Sequence, residues 1–245
     1  MQIGKIGEYQ EQVKGVVNSA SSYLDKISDI YDLADENDKE ALYQVQSFIY
    51  ENLNIKMLYA NPAFERVCKF LLDAENKEIL VNGPGLFVNK PKTERLLYKW
   101  HSESHYYPKR LSFLNVWMPI FADKVDGNGT MSLKLKSHFR EYPFSEYQGY
   151  NKDTESKKNH FIQYEIPENF VKDFEEYKTT CELGDVIIFH RKLVHRSNNN
   201  PSDRHSYALV SRVWEPSNDL TLSGQITVTP YKGGDGRANL VVDAK

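Results

Sequence analysis

Phe113-Leu114-Asn115-Val116-Trp117-Met118-Pro119-Ile120, then Asp126-Gly127-Asn128-Gly129, then Thr130-Met131-Ser132-Leu133-Lys134-Leu135 is the passage from which the fold is read. Two runs rich in β-branched, aromatic and other apolar residues flank a Gly/Asn turn. That pattern predicts two strands joined as a hairpin. Working outward, similar runs bounded by turn residues predict strands over 78–89, 96–102, 112–122, 130–135, 160–166, 185–190, 206–214 and 225–229. Many short strands without alternating helices predict an antiparallel sandwich or barrel, and about eight of them suit a jelly roll.

Ahead of the strands the period changes. Val16, Tyr23, Ile27, Ile30 and Leu33, then Leu42, Val45, Ile49 and Leu53, recur at helical spacings and predict two amphipathic helices between residue 7 and about residue 54. The acidic group Asp35-Glu36-Asn37-Asp38 between them lacks the loop glycine and later glutamate of an EF-hand, and reads as a solvated turn. A third helix is expected to start at Asn61-Pro62, a capping residue followed by proline at the first helical position. It runs through Phe64, Val67, Phe70 and Leu71 and ends near Ala74. The expected organisation is one domain: residues 1–75 mainly helical, 76–230 the jelly-roll core, 231–245 a tail. Residues 140–158, polar but carrying Tyr142, Phe144, Tyr147 and Tyr150, form a long loop expected to act as a lid.

Composition narrows the function classes. With 27% charged and 40% hydrophobic residues the chain matches soluble globular proteins, and its net charge of −3 leaves no basic footprint for nucleic acid. Two cysteines, Cys68 and Cys181, make no disulfide framework and suit a reducing compartment. Lys5, Glu8, Glu11 and Lys14 interrupt the apolar positions of residues 1–17, and no stretch approaches the roughly 20 apolar residues of a membrane span. The expected location is the cytoplasm, with no membrane partner.

The chemistry concentrates in two places. In Trp100-His101-Ser102-Glu103-Ser104-His105, strand alternation would put His101, Glu103 and His105 on one face. Same-face neighbours lie about 6.6 Å apart and can share an ion, whereas residues 101 and 105 would be about 13 Å apart, so one neighbouring pair chelates. A His-x-carboxylate pair with one distant histidine is the ligand set of non-haem Fe(II) oxygenases. By itself the pair is a weak signal.

The second place starts at Gly184-Asp185, which feeds an apolar strand ending at Phe189-His190. His195, Ser197, Asn200 and Arg204 follow in a polar turn before the next apolar strand. An arginine leading into a buried strand needs an anion, and a dicarboxylate held by its guanidinium would supply one. Asp203 or Asp185 would supply an internal salt bridge instead. His190 competes with His195 as the ligand, although a packed strand-end histidine is the commoner fate of such a residue.

These segments resemble the phytanoyl-CoA dioxygenase family. Trp100-His101-Ser102-Glu103 followed by His105-Tyr106-Tyr107-Pro108 matches the first block, Trp117, Asn128-Gly129 and Lys136-Ser137-His138 the middle, and Gly184-Asp185, Phe189-His190, His195, Ser197, Asn200 and Arg204 the last. The resemblance spans about residues 59–214 and implies a double-stranded β-helix, the cupin-like jelly roll, with Fe(II), 2-oxoglutarate and dioxygen as cofactors. It implies that His101, Glu103 and His195 ligate iron, that Arg204 anchors the distal carboxylate of 2-oxoglutarate with help from Ser197, and that Trp117 lines that site. Tyr106 and Tyr107 either face substrate or pack in the core. Three features depart from the family: Glu103 stands for aspartate, Lys136 stands for glycine, and the His195-to-Arg204 gap is about two residues short, which makes Arg212 the alternative anchor.

The implied reaction is hydroxylation of a small molecule, with 2-oxoglutarate giving succinate and carbon dioxide. Related halogenases keep the carboxylate position small for chloride, and Glu103 fills it. Two other readings are a cupin-type isomerase or hydrolase built on His101, Glu103 and His105, and a silent binding protein that retains the pocket.

Overall fold

A computed structural model of the chain describes residues 2–4, 51–94, 97–107, 112–149, 161–216, 226–232 and 238–244. The helices expected over 7–54 lie, except for residues 51–54, outside the described residues. Helix α1, Leu53–Tyr59, is capped by the Asn52 side chain, which accepts from the Ile55 amide. Helix α2, Pro62–Leu71, starts where expected: Asn61 accepts from the Ala63 amide and Pro62 opens the first turn.

The strands are β1 (Gln2–Gly4), β2 (Leu80–Asn89), β3 (Phe113–Ile120), β4 (Met131–Lys134), β5 (Ser145–Gly149), β6 (Phe161–Glu165), β7 (Glu176–Lys178), β8 (Val186–His190), β9 (His195–Ser197), β10 (Ser206–Trp214), β11 (Ile226–Lys232) and β12 (Ala238–Ala244). A five-stranded sheet has the order β1-β8-β3-β10-β2, and a three-stranded sheet the order β7-β4-β9. Every pairing is antiparallel.

Alternation along β3 sends Leu114, Val116, Met118 and Ile120 toward α1 and α2, where they pack with Ile55, Leu58, Phe64 and Cys68. The opposite face carries Trp117, joined by Ile187, Phe189 and Ala208, and packs on Met131 and Leu133 of the smaller sheet. All eight residues of β3 are buried, because one face meets helices and the other meets a sheet. This is the expected jelly roll, with helices covering the outer face of its larger sheet.

Two strand expectations are corrected, and two pairings are added that the sequence did not give. β3 and β4 are not hairpin partners: they belong to different sheets, and the turn between them carries the chain across. The turn chemistry is satisfied locally, since Asn128 accepts from the Val125 amide and donates to Asp123 O, so it reverses the chain without choosing a partner. Gly129, at φ +80°, is needed twice, because a Cβ there would lie 2.4 Å from the Asn89 side chain. The strand expected over 96–102 reduces to one bridge, His101 to His195. Within the expected lid, β5 pairs with β6, and residues 150–160 lie outside the described residues. β11 pairs with β12, from the expected tail, rather than with either sheet among the described residues.

Two irregularities have local causes. β2 holds one residue more than β10 between the pairs Gly85↔Val210 and Asn82↔Arg212, a bulge that accommodates Pro84 inside a strand. Lys136, at the family's glycine position, has φ +64°, the left-handed conformation that glycine adopts without penalty. A glycine at this position would adopt the same φ without strain. Among the described residues no helix is long and apolar enough to cross a membrane.

Candidate metal centre

The backbone brings the two halves of the site together before any side chain does. His101 N donates to His195 O (3.0 Å), and His195 N to His101 O (2.9 Å). Glu103 N donates to Arg191 O (3.0 Å), so the segment after His101 is tied to the turn that follows β8. Buried Arg191 reinforces this tie by donating to the carbonyls of Ser104 and Tyr107 (3.3 Å each).

At Glu103 the chain enters a 3-10 turn, Glu103–His105, and the strand alternation stops. His105 therefore leaves the face that the sequence assigns it, and packs against Phe144 with tilted rings whose centroids lie 4.0 Å apart. His190 also stands apart: it is half-buried at the end of β8, and its Nδ1 accepts from the Lys192 amide. Among the described residues, His101, Glu103 and His195 form the one group whose ligand atoms all lie within 4.8 Å of one another, and all three are buried.

The tautomers suit a metal. His101 Nδ1 lies 2.7 Å from Lys99 O and His195 Nδ1 2.9 Å from Leu193 O. A carbonyl only accepts, so each Nδ1 carries the proton and each Nε2 presents a lone pair. Those Nε2 atoms lie 3.8 and 3.9 Å from Glu103 Oε1. The other carboxylate oxygen, Oε2, accepts from Arg212 Nη2 (2.7 Å) and Nε (3.2 Å). Arg212 thus leaves Oε1 to complete a set of two imidazoles and one carboxylate, which fits Fe(II).

Electrostatics keep the ligands in their binding forms. Burial pushes the His101 pKa down to about 3 and lowers that of His195. Burial would raise that of Glu103, but Arg212 above all reverses this and holds the carboxyl below its ordinary range. In the metal-free protein the folded state therefore binds fewer protons than the unfolded state between about pH 3 and the ordinary histidine range. Stability falls as pH drops through that window, by about 1.4 kcal/mol per pH unit for each imidazole held neutral. Urea unfolding at pH 7 and pH 5 should show a shallower loss for His101→Asn than for the wild type; equal losses would contradict buried neutral imidazoles.

Ser197 and Trp117 sit on β9 and β3. Ser197, two residues after His195 on β9, accepts at Oγ from the Tyr98 amide (3.1 Å), and buried Trp117 pairs with Ile187 and Val210 on the inner face. Arg204 stands apart from these residues. It is exposed in the turn before β10, and its carbonyl accepts from Asn200 Nδ2 (2.8 Å) and Ser202 Oγ (3.1 Å). Asn200 organises the turn through these bonds, and because Arg204 is exposed there the buried-charge reasoning does not apply to it. Tyr106 packs edge-on to His101 (6.2 Å), Tyr98 lies 5.1 Å from the same ring, and Tyr107 packs on Phe113.

The family model described as phytanoyl-CoA dioxygenase matches residues 5–206. Among solved structures, EctD from S. alaskensis, crystallised with 2-oxoglutarate and 5-hydroxyectoine, is 17% identical, with 85% of this chain and 69% of that one covered at a TM-score of 0.58. The non-haem monooxygenase ThoJ in its apo form is also 17% identical, covering 84% of this chain and 70% of that one, with a TM-score of 0.57. At such identities the likeness is one of fold. No curated protein sequence matches the chain.

Proposed function

Because the chain belongs to the phytanoyl-CoA dioxygenase family of Fe(II)- and 2-oxoglutarate-dependent oxygenases, we propose that His101, Glu103 and His195 hold its iron and that it hydroxylates a small molecule. The observation that carries this reading is the pair of imidazoles with Nδ1 bonded to carbonyls and Nε2 turned toward one free oxygen of Glu103. Bound iron would supply the oxidation: one atom of dioxygen enters succinate as 2-oxoglutarate loses carbon dioxide, and the other enters a C–H bond of the substrate.

This chain's own residues do the positioning. His101 and His195 are unprotonated at neutral pH, so no proton competes with the metal. Arg212 orients Glu103, and Arg191 pins the 103–107 segment. Tyr98 and Tyr106 flank His101 and keep water from that side. Glu103 fills the position that a halide would need, which favours hydroxylation over halogenation. The cupin-type reading loses support, since its third ligand, His105, is turned away to pack against Phe144.

Purified chain reconstituted with Fe(II) should convert 2-oxoglutarate to succinate in air, slowly without substrate and not at all with a chelator present. Metal-dependent activity with no 2-oxoglutarate consumption would sink the proposal.

A further inference from the structure

Lys124 is 1% exposed, yet among the described residues no carboxylate pairs with it. Its Nζ donates to Gly129 O (3.2 Å) and to Ser206 Oγ, and lies 5.8 Å from the centre of the Trp117 ring. The other buried lysine, Lys134, is treated differently, with Glu168 and Glu176 as counter-charges. A buried ammonium without a counter-charge is costly and calls for an anion.

The place it occupies says which anion. Ser206 opens β10, the strand that carries Arg212 to the triad at its other end, and Ala208 and Trp117 line the inner face between. Gly129, in the turn that leads into β4 of the facing sheet, precedes Leu133 by four residues, and Leu133 pairs with His195. An extended chain spans at most about 13 Å over that interval. A metal–ligand bond, a five-carbon dicarboxylate and one hydrogen bond together bridge such a distance. Arg204, the expected anchor, is outside, while Ser206, two residues later, is inside and already touches Lys124.

We propose that Lys124 anchors the distal carboxylate of 2-oxoglutarate in this chain, with the Ser206 hydroxyl beside it, in the role the family gives to an arginine. This rests on the oxygenase reading above. Burial holds the Lys124 pKa down to about 7, so an arriving carboxylate would stabilise the charged form.

The test is anaerobic titration of the Fe(II)-loaded protein, read by the visible absorption band formed when a 2-oxo acid chelates iron. 2-Oxoglutarate is compared with 2-oxopentanoate, which has the same chain length without the distal carboxylate. The wild type should bind 2-oxoglutarate roughly 10- to 100-fold tighter, the value of a charge-assisted contact. Lys124→Met should erase that preference while still binding Fe(II), and Arg204→Ala should keep it. If Lys124→Met does not fold, Lys124→Gln serves the same comparison. A preference retained without Lys124, or lost in Arg204→Ala, overturns the proposal and leaves the oxygenase reading standing. A wild type that forms the band with neither acid overturns both.

Discussion

His195→Ala loses the metal, and turnover of 2-oxoglutarate to succinate falls by more than about 100-fold, beyond the range for losing an outer partner of a metal ligand. The reason is geometric. With His195 gone, His101 and Glu103 remain as a two-ligand site, and the Leu193 carbonyl loses the ring that it orients. The substitution also removes a buried ring packed 4.2 Å from His101 and 4.9 Å from Phe189, so some stability is lost as well. His190→Ala separates the two effects. It removes an imidazole outside the triad, and it should leave metal affinity within error of the wild type. Calorimetric titration with Fe(II) or a redox-inert divalent ion reads the difference. Full metal binding and turnover in His195→Ala would end the assignment of the centre.

Arg212→Met lowers the stability of the metal-free protein by about 3 kcal/mol at pH 7. A broken buried ion pair costs 3–5 kcal/mol, and the low end applies because the Arg212 side chain is 25% exposed. The signature is its pH dependence. With Arg212, Glu103 has a folded pKa below the unfolded one, and its contribution is present above the ordinary carboxylate range and lost as pH falls. Without Arg212, burial dominates and the folded pKa rises, so the contribution is present at low pH and lost as pH rises. The gap between variant and wild type should therefore narrow from pH 7 to pH 4 in urea unfolding. Added divalent metal should restore part of the loss at pH 7, because the ion replaces the missing positive charge. A gap that does not change with pH would mean that Arg212 acts through its packing on Tyr107, 5.0 Å away, rather than through Glu103.

Much of the fold was legible because its signals are local. Asn61-Pro62 starts a helix through its own side chain and ring, and the apolar runs at 113–120 and 206–214 are strands wherever they pair. Pairing was not legible. Asp126-Gly127-Asn128-Gly129 has the residues of a hairpin turn and makes its bonds within the turn, while β3 chose β8 and β10 from residues more than sixty positions away. The same limit misplaced His105, since the 3-10 turn at Glu103 follows from the hold of Arg191 on that segment.

The sequence alone determined the residue types of the candidate metal centre and their order: the His-x-Glu pair, the later His195 and the family blocks around them, because ligand chemistry and strand period belong to neighbouring residues. Only the tertiary structure decided the charges around them. Lys124 stands just ahead of the turn Asp126-Gly127-Asn128-Gly129 with no motif around it, and Ser206-Tyr207-Ala208-Leu209-Val210-Ser211-Arg212 reads as a strand. Folding buries Lys124 beside Ser206, gives Arg212 to Glu103 and leaves Arg204 in water. A charge acquires its partner and its cost from elements distant in the chain, and no local pattern records them.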